Sequence, residues 1–322
     1  MKQTVFLNNN REMPLLGLGV YKLTDHTEAE TAISSAIHCG YRLIDTASVY
    51  KNEELVGHAI EKSGISRREL FLTTKVWNTA QRLGDIEGSL SRSLERLKTD
   101  YVDLYLVHWP VPGCYTGTWL EMEKLLESGR ARSIGVSNFE IRHLEELKHV
   151  SGIIPAVNQI ECHPLCYPKE LIEYCQDNNI QVQAYAPLGR GAYLDNDVMC
   201  VLGTKYAKTP AQIGLRWAVQ KGISVIPKSA NPERILSNSE IFDFEIEEED
   251  MAIIDTGRFK RHSILKSHQF YLLTTQKRQT HSHLPFLFCF IPTEAWESLP
   301  SYREASGPSL PLMPLFLQKE LY

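Results

Sequence analysis

One pattern limits this chain more than any other: short apolar runs alternate with amphipathic helical stretches, eight times over. The runs fall at 16–20, 43–45, 70–76, 102–108, 131–136, 156–160, 180–184 and 223–226. They are nearly all apolar, as strands are when both faces of a parallel sheet are covered. Helical spacing separates them. Ala29, Ala32, Ile33, Ala36 and Ile37 share one face within 27–39, and Leu90, Leu94 and Leu97 share another within 85–98. Eight alternating units within about 250 residues favour an α/β fold closed as a (β/α)8, or TIM, barrel over an open doubly wound sheet. Ahead of the barrel, 4–7 and 11–13 read as two arms of a short hairpin turned by Asn8-Asn9-Asn10, because Asn tolerates positive φ.

The glycines at the first barrel strand do not make a dinucleotide-binding loop. After Gly17 and Gly19, the third glycine position of GxGxxG holds Lys22, so a Rossmann reading loses its support. Net charge is −5, which argues against a general nucleic-acid or membrane-surface partner. No apolar run reaches the roughly 18 residues of a membrane span, and the start Met1-Lys2-Gln3-Thr4 has no apolar signal core. Seven scattered cysteines without a CxxC pair suit reduced thiols and a cytoplasmic location better than a disulfide framework.

The alternation stops near Thr256, dividing the chain into a barrel over 1–256 and an atypical tail over 257–322. The tail contains no Asp, Asn or Val but six of the 16 prolines and four of the 11 histidines. It carries eight basic and four acidic residues, hence +4, which leaves 26 basic against 35 acidic, or −9, upstream. With no sustained period, it is expected to be poorly ordered.

The chemistry is read at the C-terminal ends of the barrel strands, where such folds place their sites. Those ends carry Asp45, Lys75, His108, Ser137, Asn138, Gln159, Tyr185, Lys228 and Ser229, with Tyr50 five residues after Asp45. Every one is polar, after strands that are almost wholly apolar. Each also has a bland reading. Asp45 can cap a helix, Tyr50 can be a partly buried tyrosine, His108 a satisfied core histidine and Lys75 a solvated strand end. Glu161 and His163 suggest a metal, but neither belongs to an HxH or HExxH motif, and no metal is expected.

Taken together, Tyr50, Lys75, Asp45 and His108 suit proton donation to an oxygen. A free tyrosine has a pKa near 10, too high for ready donation, and a neighbouring ammonium is expected to lower it. Asp45 can hold that ammonium charged, and His108 can hydrogen-bond a carbonyl oxygen. There is no obvious nucleophile.

The sequence resembles the aldo-keto reductases. The resemblance is carried by Gly40-Tyr41-Arg42-Leu43-Ile44-Asp45-Thr46-Ala47, Tyr50, Lys75, Leu104-Tyr105-Leu106-Val107-His108-Trp109-Pro110, Ile134-Gly135-Val136-Ser137-Asn138-Phe139, Asn158-Gln159-Ile160-Glu161-Cys162-His163-Pro164, Tyr185-Ala186-Pro187-Leu188-Gly189 and Ile226-Pro227-Lys228-Ser229. It spans residues 4–255, and the short connection Val111-Pro112-Gly113 is similar to that of the compact glyoxal-reductase and prostaglandin F synthase-like members. It implies an NADPH-dependent (NADP+-yielding) alcohol dehydrogenase-type enzyme that reduces aldehydes and ketones, a monomer whose partner is a small carbonyl compound. Tyr50 is then the general acid, supported by Lys75, Asp45 and His108. Ser137, Asn138 and Gln159 hold the nicotinamide carboxamide, Tyr185 stacks on the ring and Leu188 borders the pyrophosphate. Lys228, Ser229, Arg234 and Asn238 take the adenosine 2′-phosphate and adenine. Two features depart from the family: Ser237 stands where many members have Glu, and the usual C-terminal loop over the substrate pocket is absent. The alternative implied is an NADPH-binding barrel with little turnover, acting as a regulatory or redox-sensing subunit.

Overall fold

The structure, a computed structural model, describes residues 3–256. The tail over 257–322, expected to lack order, lies outside the described residues. Strands β1 (Thr4–Phe6) and β2 (Glu12–Pro14) pair antiparallel as the expected hairpin. Eight parallel strands follow in sequence order: β3 (Gly17–Gly19), β4 (Leu43–Asp45), β5 (Phe71–Val76), β6 (Leu104–Val107), β7 (Ile134–Ser137), β8 (Val157–Glu161), β9 (Gln181–Tyr185) and β10 (Ser224–Val225). Closure falls between β10 and β3. Leu16 bridges Val225 in parallel, the Val225 amide donates to Leu15 O at 2.8 Å, and the Gly19 amide donates to Pro227 O at 3.2 Å. The expected (β/α)8 barrel is therefore the observed one.

The two glycines of β3 serve this packing. A Cβ on Gly17 would lie 2.2 Å from Leu43 Cδ2, and one on Gly19 would lie 2.8 Å from the backbone carbonyl of Ile226. Bare backbone at both positions lets β3 press against β4 and close the ring.

Helices wrap the outside, most burying one stripe, while Pro210–Gln220 is buried on nearly all sides from Gln212 to Val219. The helix Ile86–Leu97 buries Ile86, Leu90, Leu94 and Leu97, at helical spacing. Asp25 caps the helix His26–His38 by accepting from the Glu28 amide at 2.9 Å, and Thr209 and Gln212 form a capping box at Pro210–Gln220. Inside, one apolar cluster fills the N-terminal end of the barrel. Leu43, Phe71, Leu104, Leu106, Val157 and Ile226 meet Leu7 and Met13 of the hairpin. The hairpin is a plug, leaving the opposite end as the mouth.

Candidate active site

Above that apolar plug, the barrel interior turns polar. Asp45, Lys75 and Gln159 project from β4, β5 and β8, all within 2% of complete burial. Lys75 Nζ donates to Asp45 Oδ1 at 2.6 Å and to Thr46 O at 2.8 Å. Gln159 Nε2 donates to the other oxygen, Asp45 Oδ2, at 2.7 Å. Lys75 has no exposed surface, which disposes of the solvated strand end. A lysine buried this completely persists because its charge is paired and hydrogen-bonded. Burial still draws its pKa below the ordinary lysine value, with Asp45 opposing.

Tyr50 reaches the same place from a loop. The single 3₁₀ turn Ser48–Tyr50 is tied down where the Ser48 hydroxyl donates to Lys75 O at 2.9 Å. Behind it, buried Asn52 donates to Val20 O at 2.8 Å and Leu23 O at 3.0 Å, and accepts from Thr46 Oγ1 at 2.9 Å. These bonds fix the turn against two strand ends. Lys75 Nζ lies 5.2 Å from the Tyr50 ring centroid. His108, the residue after β6, meets that ring edge-on at 5.8 Å, and Trp77 packs edge-on against His108 at 5.1 Å. The four residues, drawn from separate motifs, thus form one cluster at the polar end of the barrel.

Their electrostatics correct one expectation. Burial, and after it the Asp45 carboxylate, hold the Tyr50 phenol well above its ordinary pKa. The Lys75 ammonium, shared with Asp45, does not outweigh these two effects. His108 is held well below the ordinary histidine value by burial and by Lys75, so the imidazole is neutral. Its Nδ1 is buried without a partner.

The remaining predicted positions border the same mouth. Ser137 ends β7, its hydroxyl donating to Gln159 O at 2.8 Å. Asn138 follows with φ of 63°, and its side chain donates to His108 O at 3.0 Å while accepting from the Tyr185 hydroxyl at 2.9 Å. Tyr185 and Leu188 are half-buried. Lys228 and Ser229 follow β10, and Arg234 and Asn238 lie on the helix Pro232–Ser239. Asn238 is buried, whereas Lys228 and Arg234 are exposed, and neither has an ion-pair partner among the described residues. Ser229 is turned inward, its hydroxyl accepting from the Asn231 amide at 3.1 Å, and Asn231 caps the helix at the Arg234 amide, 3.0 Å away.

These groups fit a phosphorylated dinucleotide. Two unpaired cations stand beside a helix N-terminus, an arrangement that attracts phosphate. Deeper in, Asp45, Lys75, Ser137 and Gln159 bring polar side chains from four strands, and half-buried Tyr185 donates its hydroxyl hydrogen to Asn138. A cation finds less support. Among the described residues, His26, Glu30 and His58 come within mutual ligand reach on the outer helices. There Lys62 ion-pairs with Glu30, setting a positive charge where a metal would sit.

Three lining groups escaped the sequence reading. Gln183 is fully buried and accepts from Gln159 Nε2 at 2.7 Å. Its signal was available: a glutamine inside an apolar strand, two residues before Tyr185 and so on the same face. Tyr21, tilted against the Tyr50 ring at 4.9 Å, and Trp77 carried no such signal, since aromatic residues after a strand are common in cores.

Comparison with known proteins agrees with this geometry. The model of the Aldo/keto reductase family matches residues 15–257. A protein named Glyoxal reductase from Bacillus subtilis (strain 168) is 49% identical over 255 residues, 79% of this chain and 92% of its own length. One named 9,11-endoperoxide prostaglandin H2 reductase, from Trypanosoma cruzi (strain CL Brener), is 46% identical over 254 residues, 78% of this chain and 90% of its own. The crystal structure of an aldo/keto reductase from Brucella melitensis superposes with a TM-score of 0.76 at 45% identity, covering 79% of this chain and 98% of that one.

Proposed function

The chain belongs to the aldo/keto reductase family, and on that premise we propose that it reduces small aldehydes and ketones with NADPH, using Tyr50 as proton donor. One observation carries the proposal: the buried Lys75–Asp45 pair at 2.6 Å lies near the Tyr50 ring, with neutral His108 edge-on to the same ring.

Bound NADPH would supply hydride to the carbonyl carbon. The residues of this chain serve the oxygen. As negative charge builds there, the Tyr50 hydroxyl donates its proton. A high tyrosine pKa is no obstacle, because an alkoxide is far more basic than a phenolate and the transfer runs downhill. Lys75, charged and held by Asp45 and Thr46, steadies the phenolate left behind. His108 contributes a hydrogen bond from a neutral ring, orienting the oxygen without competing as an acid. Gln159, Ser137 and Asn138 hold the carboxamide end of the cofactor, Tyr185 its ring, and Leu188 borders the pyrophosphate. Lys228, Ser229, Arg234 and Asn238 receive the adenosine end, with the two free cations drawn to the 2′-phosphate.

The test follows NADPH consumption with methylglyoxal and 4-nitrobenzaldehyde. Tyr50→Phe is expected to lower turnover by about 10²–10⁴-fold while NADPH still quenches tryptophan fluorescence with nearly the native dissociation constant. A variant retaining more than half the native rate removes Tyr50 from the mechanism. Native protein that binds NADPH but turns over neither carbonyl compound points instead to a sensing or regulatory barrel.

A further inference from the structure

A line of hydrogen bonds crosses the barrel beneath the site, and it dictates how one amide faces the mouth. It starts at the Asp45 carboxylate, which can only accept. The nitrogen of Gln159 must therefore be the atom facing Asp45 Oδ2, at 2.7 Å. The second hydrogen on that nitrogen goes to Gln183 Oε1, also at 2.7 Å. Gln183 is thereby oriented in turn. Its own nitrogen points to Ser224 Oγ at 3.3 Å, and the Ser224 hydroxyl faces the Pro14 carbonyl of β2 at 3.2 Å. Asp45, Gln159, Gln183 and Ser224 are all at most 2% exposed, so the links lie away from bulk solvent.

Both hydrogens of the Gln159 amide are thus consumed inside the protein. Its carbonyl, Oε1, has no donor among the described residues, and it is not one of the fully buried side-chain atoms left without a partner. It is the free acceptor of the amide, at the polar end of the barrel. The ligand side of Gln159 is an acceptor and nothing else.

We propose that Gln183 is a positioning residue: with Asp45, it clamps the Gln159 amide so that the cofactor meets only its carbonyl, which selects a nicotinamide carboxamide N–H over a ring substituent that cannot donate. This rests on the cofactor assignment proposed above and adds a polarity to it. With Asp45 alone, the amide nitrogen keeps one bond but the amide plane turns about it. Gln159 then offers the cavity an N–H as readily as a C=O. Asp45 also joins two tasks, since its other oxygen holds Lys75 beside Tyr50. The clamp on the cofactor and the support of the proton donor meet on one carboxylate.

The experiment compares dissociation constants for NADP+, for its 3-acetylpyridine analogue, which has a carbonyl but no N–H, and for adenosine 2′,5′-bisphosphate, which lacks the nicotinamide altogether. Native protein is expected to favour the carboxamide over the acetyl compound by about fivefold or more, the worth of one hydrogen bond. Gln183→Met removes the acceptor at near-constant volume and is expected to narrow that ratio to within about twofold. Binding of adenosine 2′,5′-bisphosphate should not change. A purely structural role would weaken all three ligands together. Gln183→Glu keeps an oxygen facing Gln159 and should retain the native preference. A Gln183→Met protein with the native ratio overturns the proposal. So does native protein that binds the carboxamide and acetyl compounds equally, a result that needs no variant. Native protein that binds neither dinucleotide nor bisphosphate removes the cofactor assignment itself, and the two failures are told apart.

Discussion

At the scale of single residues, charge placement decides what each group can do. Tyr50 is pushed up by burial and by Asp45, and His108 is pushed down by burial and by Lys75. The sign of the pH dependence follows. A donor with a raised pKa keeps its proton below that value and loses it only as pH climbs through it, while a histidine held low gains no charge as pH falls through its ordinary value. Carbonyl reduction at saturating substrate is therefore expected to stay level between about pH 6 and 9; a break near the ordinary histidine pKa would contradict the neutral assignment. Arg234 tests the other end of the site. Its exposed guanidinium has no partner among the described residues, and a charge-assisted bond to the 2′-phosphate contributes roughly 1.5–3 kcal/mol. Arg234→Ala should raise the NADPH dissociation constant about tenfold or more and leave that of NADH nearly untouched; an equal loss for both would show that it does not read the phosphate. Asp45, Lys75, His108 and Gln159 were legible because each is a polar group at or just past the end of an apolar strand. Their pKa directions were not, since desolvation depends on neighbours brought from other strands.

At the scale of elements, strands and long helices declared themselves, and short ones did not. The central strands β4, β5 and β8 lie within a residue or so of where the apolar runs put them. The helices Asn78–Leu83, Asp197–Tyr206 and Glu248–Asp255 were missed. Asn78–Leu83, with six residues, is too short for a periodic stripe to stand out, and Gly203 inside the second reads locally as a breaker, although it is there because a Cβ would approach Lys208 O to 2.6 Å. Glycine in β3 has the same kind of meaning. Gly17 and Gly19 look at first like fragments of a phosphate-binding loop, yet they are contact points between neighbouring backbones. Gly19→Ala must push the Ile226 carbonyl aside and is expected to cost about 1–3 kcal/mol of stability, read as a lowered denaturant midpoint; an unchanged midpoint would mean the strands have slack that the geometry does not suggest.

For the molecule as a whole, the barrel divides into a dry end sealed by Leu7 and Met13 and a polar end carrying the chemistry. Counting eight units predicts a ring but does not say where the ring is weakest, because that depends on pairing between the first and last strands. The closing joint is slight. Strand β10 has two residues, and the joint to β3 rests on the Leu16–Val225 bridge and a few backbone bonds. Such a joint is where a closed sheet breathes. Amide hydrogens of Gly19 and Val225 should exchange with deuterium sooner than those of Lys75 and Leu106, buried where β5 and β6 pair along four residues. Lys228 and Ser229 lie three and four residues past the end of β10, so a phosphate gripped there would act as a clasp on the ring. NADPH should then slow exchange at Gly19 and Val225 more than anywhere else in the sheet, and the cofactor would keep the barrel shut as well as supply the site.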